Sequence, residues 1–302
     1  MQTKKPVTID LFAGAGGLSL GFLEAGFHIA GANDIDPNYA ATFRRNHPET
    51  PFVVADVRKL TTEQLLKQMN LRKSDIDIII GGPPCQGFSL ANAQTRFLNN
   101  PNNRLFRDFI RAVGDIKPQW FVMENVPGLL RMNKGKVKQE ILDAFEKLGY
   151  KVKAEVLNAA NYGVPQLRRR IVFVGNKAGI DFQFPAPTHI PATKWELVTV
   201  HNHYITVDEA ISDLPKLNGS EGSLEMEYAL QPKTEYQRIV KNGTSKIFNH
   251  IVTQSKKEVI ERYKYIPQGG NWSSIPLKLM KKWRSIPPEE IEKVSHSSLY
   301  RR

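Results

Sequence analysis

Through the first 175 positions, short apolar runs alternate with stretches of helical period. The runs VTIDLF (7–12), HIAGAND (28–34), FVVADV (52–57), DIDIIIGG (75–82), WFVMENV (120–126) and RRIVFVG (169–175) read as strands. Between them, LSLGFLEAG, DPNYAATFRRNH, TEQLLKQM, NRLFRDFIRAVGDI and VKQEILDAFEKLG read as helices. Gly26 stands at a helix stop, Pro37 in a first turn, and Thr61 or Thr62 at a cap. Leu105, Phe109, Ala112 and Val113 share one face of the fourth helix. Strands alternating with helices predict an α/β fold, a mostly parallel sheet covered on both faces. After residue 184 prolines recur and the period weakens. Only TVDEAISDL, KKEVIERY and PLKLMKKW look helical there. The division expected is 1–184 and 185–302, the second part irregular and basic.

Charge sharpens this picture. Of 302 residues, 42 are Lys or Arg and 30 Asp or Glu, a net charge of +12. Such an excess points to a polyanionic partner, most often nucleic acid. One cysteine excludes an internal disulfide and a Cys-rich zinc site. His201 and His203 have no third ligand nearby in sequence, so no metal is expected. There is no long apolar run, and the first strand begins too early for a signal peptide. A reducing cytoplasm is the expected location.

The chemistry collects at strand ends. Gly14, Gly16 and Gly17 follow the first strand and open a helix, where free amides and the helix dipole meet a ligand. Ser19 stands where a dinucleotide fingerprint needs glycine. The second strand ends at Asp34, suited to ribose hydroxyls, and the third at Asp56, suited to an exocyclic amine. Together they describe a nucleoside site without a phosphate anchor. Cys85 lies in GGPPCQGFS after the fourth strand, on a turn stiffened by Pro83 and Pro84. Its thiolate would be the reactive form. Glu124 ends the fifth strand as a carboxyl able to act as an acid. In QLRRR, alternation puts Arg168 and Arg170 on one face, able to neutralise a thiolate or hold a phosphate.

These segments together resemble the DNA cytosine methyltransferases that modify ring carbon 5: DLFAGAGGLSLGF, GGPPCQGFS, ENV and QLRRRIVFVG follow that family's order across residues 7–175. The resemblance implies a Rossmann-like, doubly wound S-adenosylmethionine-dependent domain over 1–184. It also implies a flipped base in double-stranded DNA and a place in a restriction-modification system. By that likeness Cys85 attacks carbon 6, Glu124 holds and protonates nitrogen 3, and Arg168 and Arg170 contact the flipped nucleotide. Phe12, Ala13, Gly14, Gly16, Gly17 and Leu18 surround the cofactor. Asp34 takes the ribose, Ile35 packs on adenine, Asp56 binds its amine, and Val57 and Pro84 lie nearby. Gln86, Ser89, Asn125 and Gln166 serve the substrate side. The family's recognition region and last two motifs are not found in this sequence, so it resembles the larger polypeptide of a split, heterodimeric enzyme or a truncated member. A bacterial, nucleoid-associated enzyme is implied. The alternatives are a tRNA cytosine-5 methyltransferase and a non-catalytic DNA- or partner-binding fragment.

Overall fold

A computed structural model describes residues 4–84, 105–191, 202–218, 221–276 and 279. They cluster into two compact units, Met1–Tyr162 with Leu167–Pro187, and Gly163–Gln166 with Thr188–Arg302.

The first unit runs β1 (Val7–Leu11), α1 (Gly17–Glu24), β2 (His28–Asp34), α2 (Pro37–Asn46), β3 (Phe52–Val54), α3 (Thr62–Gln68) and β4 (Ile78–Gly81). It continues through α4 (Leu105–Ile116), β5 (Trp120–Asn125), α5 (Lys136–Lys147), β6 (Lys151–Asn158) and β7 (Arg169–Asn176). The strand order is β3-β2-β1-β4-β5-β7-β6. Strands β1 to β5 pair in parallel, and β7 runs antiparallel to both its neighbours. The doubly wound, mostly parallel α/β fold is therefore present. Sequence reading missed β6, because its Lys-Val-Lys-Ala-Glu edge is half exposed and has no apolar run.

Local chemistry explains the helix starts. Asp36 caps α2 by accepting from the Asn38 amide, with Pro37 at the first helical position. Thr61 and Gln64 form a reciprocal capping box on α3, so Thr61 rather than Thr62 is the cap.

Right-handed crossovers put α1 and α2 on one face of the sheet and α3, α4 and α5 on the other. The main core lies under the second group. Phe109, Phe121, Phe145 and Phe173 are fully buried there, with Phe121 stacked on Phe145 at 3.9 Å between centroids. A smaller cluster of Ala32, Ala40, Phe43 and Phe52 lies under α2. On the α1 side, a cavity of about 1180 Å³ is lined by Phe22, Ile78, Trp120, Val122, Val172 and Phe182, among others. The two crossovers that place helices on this side both lead toward β3, away from β5.

The second unit contains a parallel pair, β8 (His189–Ile190) with β9 (Asn202–His203), and α6 (Val207–Ile211). An antiparallel pair follows, β10 (Gly222–Glu227) with β11 (Lys246–Ile251), enclosing α7 (Glu235–Lys241). Helix α8 (Lys257–Tyr263) comes last. Helix α7 was not expected; α6 and α8 were, and PLKLMKKW falls almost wholly outside the described residues. Among the described residues no helix is long and apolar enough to cross a membrane.

Candidate active site

The carboxyl ends of β1, β2, β3 and β4 surround a cavity of about 520 Å³. The turn after β1 has unusual backbone: Phe12 at φ 60, Gly14 at φ 55 and Gly16 at φ 91. A phenylalanine at positive φ is strained, and such strain gathers where a fold fixes a ligand site. At Gly16 an added Cβ would also come within 2.7 Å of Phe43 and 2.8 Å of His47. The Gly14 amide donates to Asp34 Oδ2 at 2.9 Å, and the Asp36 amide donates to Asp34 Oδ1 at 3.1 Å. One carboxylate thus ties the glycine turn to the end of β2. Asn33, nearly fully buried, donates to the Val53 and Ala55 carbonyls and fixes the end of β3 beside it.

Phe12, Gly14, Asp34, Ile35, Val57 and Pro84 all line this cavity, as expected from the sequence. The other expected cofactor residues sit elsewhere. Ala13 packs against the Ala32–Phe43 cluster, and Gly17 and Leu18 face the large apolar cavity. Asp56 lies between two lining residues, but its carboxylate is turned to Arg58, with Nη2 at 2.7 Å and Nε at 2.9 Å. That guanidinium holds the Asp56 carboxyl below its usual range. Asp36, Tyr39 and Leu105 also line the cavity and were not nominated. Tyr39 is half exposed in the first turn of α2, and its position in an amphipathic helix gave no signal of a ligand.

A second group meets at the end of β5. Arg170 Nε lies 2.7 Å from Glu124 Oε1, and Arg168 Nη2 lies 3.7 Å from the same oxygen. Because β7 is antiparallel to β5, the start of β7 reaches the sheet edge where the parallel strands end. The predicted pairing of Arg168 and Arg170 on one side therefore becomes a shared grip on Glu124. Glu124 also borders the cavity: a Cβ on Gly82, a lining residue, would come 3.4 Å from Oε2. Asn125 is buried, donates from Nδ2 to the Pro83 carbonyl at 3.0 Å, and accepts from the Val126 amide at 2.8 Å. It fixes the stem that leads to residue 85. Cys85, Gln86 and Ser89 lie outside the described residues. Gln166 is exposed and belongs to the second unit.

The arrangement has room for a nucleoside-sized ligand. Among the described residues its lining includes two carboxylates, Asp34 and Asp36, and no Lys or Arg. Such a lining suits a ligand of positive charge. S-adenosylmethionine fits that description: a nucleoside carrying a sulfonium.

Comparison with known proteins finds methyltransferases. The chain is 42% identical over 272 residues to the Type II methyltransferase M1.HphI of Haemophilus parahaemolyticus, covering 90% of this chain and 63% of that protein. It is 41% identical over 219 residues to M.AquIA of Picosynechococcus sp., covering 68% of this chain and 88% of that protein. In structure it is similar to a DNA modification methyltransferase encoded within an E. coli prophage. There the TM-score is 0.68 and the identity 28%, over 87% of this chain and 76% of that one. The chain spans about three-fifths of the length of several relatives, 63% for M1.HphI and 61% for M.DdeI of Desulfomicrobium norvegicum. The model of the C-5 cytosine-specific DNA methylases matches residues 7–302, and the chain belongs to that family.

Proposed function

We propose that this chain carries the donor site and catalytic residues of an enzyme that methylates carbon 5 of cytosine in double-stranded DNA. The observation that carries this reading is a meeting at one sheet edge: an acidic nucleoside-sized cavity, the Glu124–Arg170 pair, and the Pro83–Pro84 stem between them. Phe12, Gly14, Asp34, Ile35 and Val57 would hold the donor's nucleoside. S-adenosylmethionine, when bound, supplies an electrophilic methyl group.

Cys85 follows directly in sequence on Pro84, which lines the cavity. As thiolate, Cys85 adds to carbon 6 of cytosine. Ring electrons move toward nitrogen 3, where Glu124 delivers a proton, and carbon 5 becomes nucleophilic and takes the methyl. A base then removes the carbon 5 proton, the thiolate leaves carbon 6 as the ring double bond returns, and nitrogen 3 gives its proton back to Glu124; the spent donor would depart as the neutral thioether, S-adenosylhomocysteine. Arg170 and Arg168 keep Glu124 aimed by occupying Oε1, which leaves Oε2 toward the cavity. A thiol at a sheet edge reaches carbon 6 only if the base leaves the duplex, so base flipping belongs to the proposal.

Choice of sequence would come from a recognition region beyond the segments described above. M1.HphI matches 90% of this chain within one longer protein, so a second polypeptide draws no support from it. A role in restriction-modification and a place at the bacterial nucleoid extend the proposal from the relatives' Type II naming.

The test is transfer of labelled methyl from S-adenosylmethionine to duplex DNA by the full-length protein, with tRNA as competitor. Wild type should label DNA and be trapped covalently on DNA containing 5-fluorocytosine. Cys85→Ser should lose both, by a factor of about 10³ or more in rate, with its unfolding midpoint unchanged. A serine variant near the wild-type rate would remove Cys85 as nucleophile, and preferential labelling of tRNA would move the substrate.

A further inference from the structure

Helix α4 has two unlike sides. Leu105, Phe109, Ala112 and Val113 are buried in the core. Asp108, Arg111 and Asp115, spaced three and four apart, form a polar stripe that meets the turn after β3 and the start of α3. Arg111 Nη2 donates to the Val57 carbonyl at 2.9 Å. Its other contacts are looser: 3.4 Å to Thr62 Oγ1, 3.4 Å to Asp108 and 4.0 Å to Asp115. The short bond therefore reaches the main chain of a cavity-lining residue next to Asp56, across 54 positions of sequence.

We propose that Arg111 is a positioning residue for the adenine end of the donor pocket, holding Val57 and thereby the turn in which Asp56, turned to Arg58, has to exchange that partner for the adenine amine. The inference rests on the donor reading given above. Arg111 is a third exposed, and its ion pairs are long, so its worth to overall stability is small. Its bond to Val57 has a different effect. Without it, the turn spanning 56 to 59 loses its short bond to α4 and keeps its internal bonds, the Asp56–Arg58 clamp and the Lys59 amide donating to the Asp56 carbonyl. Leu105, the first residue of the same helix, lines the cavity too, so α4 supports two walls of one site.

The readout is discrimination at the adenine amine. Calorimetry would compare S-adenosylhomocysteine with its 6-oxo analogue, S-inosylhomocysteine, on wild type, Arg111→Met and Arg111→Lys. Wild type should favour the amino ligand by about tenfold or more, the worth of one lost hydrogen bond. Arg111→Met should bind the amino ligand about tenfold more weakly and treat the two ligands nearly alike. Arg111→Lys, which retains a donor of shorter reach, should keep part of the preference. In the methyl-transfer assay the donor KM should rise in Arg111→Met while kcat stays within about twofold. If wild type binds neither ligand, the donor reading falls and this inference with it. If wild type discriminates and either folded variant discriminates equally well, the positioning role alone is overturned.

Discussion

Strand β5 turns two unlike sides to its surroundings. Phe121 and Met123 are fully buried beneath α4 and α5, with Phe121 stacked on Phe145 and edge-on to Phe109. Trp120, Val122 and Glu124 alternate with them and stay partly exposed on the side of the large cavity. One side of the strand holds the fold, and the other ends in the carboxylate that reaches the cavity edge. The two roles should therefore separate on mutation. The largest effect expected is from Glu124→Gln. It keeps the shape of the side chain but removes the proton donor at the end of the open side. Methyl transfer should fall by about 10²–10⁴-fold, while the urea midpoint stays near wild type. Loss of stability as large as the loss of rate would break the comparison.

The next effect lies on the covered side. Phe121→Ala removes a ring packed between Phe109, Phe145 and Tyr150 and should cost about 3–5 kcal/mol in urea unfolding. Val122→Ala, one residue along, loses methyl groups that already face a cavity and should cost about 1 kcal/mol or less. Equal costs at the two positions would show that the open side is covered in solution, and would redirect attention to what covers it.

Much of this was legible in the sequence, for definite reasons. The parallel strands are short apolar runs ended by Gly, Asp or Asn, so both their existence and their functional ends could be read. Asp34, Ile35, Val57 and Pro84 could be named from the sequence, and line the cavity, because each stands at, or just after, a strand end. The edge strand β6 was not legible, since one half-exposed side and several lysines erase the apolar run. Gly17 and Leu18, which the family likeness puts around the cofactor, line the large apolar cavity. Asp56 was placed at the right strand end, but its grip by Arg58 depends on a turn of 3₁₀ type that no periodicity announces. Tyr39 and Leu105 enter the cavity because of how α2 and α4 lie on the sheet, which is a tertiary fact.

A further prediction concerns the covered side of β1, where a second carboxylate contrasts with Asp34. Asp10 is fully buried between β1 and α1, accepting from the Ser19 hydroxyl at 2.6 Å with Oδ2. Oδ1 and the nearby Thr8 hydroxyl have no hydrogen-bond partner among the described residues. Burial pushes the Asp10 carboxyl up from 3.8 to about 7; the Ser19 hydrogen bonds oppose this and Asp34 adds to it. The folded state therefore binds the proton more tightly than the unfolded chain. Asp10's contribution to stability is fully present below pH ~4 and is lost as pH rises through about 7. Between pH 5 and 8 the loss amounts to roughly 2–3 kcal/mol if the shift is complete. Asp10→Asn carries no titrating proton, so its urea-unfolding free energy should lack this component. Subtracting its pH profile from that of wild type should leave a decline that begins near pH 4 and levels off above about 7. A flat difference would mean that the Asp10 carboxylate finds compensation within the folded protein. The contrast between a sealed carboxyl under α1 and a working one at the end of β2 would then rest on position alone.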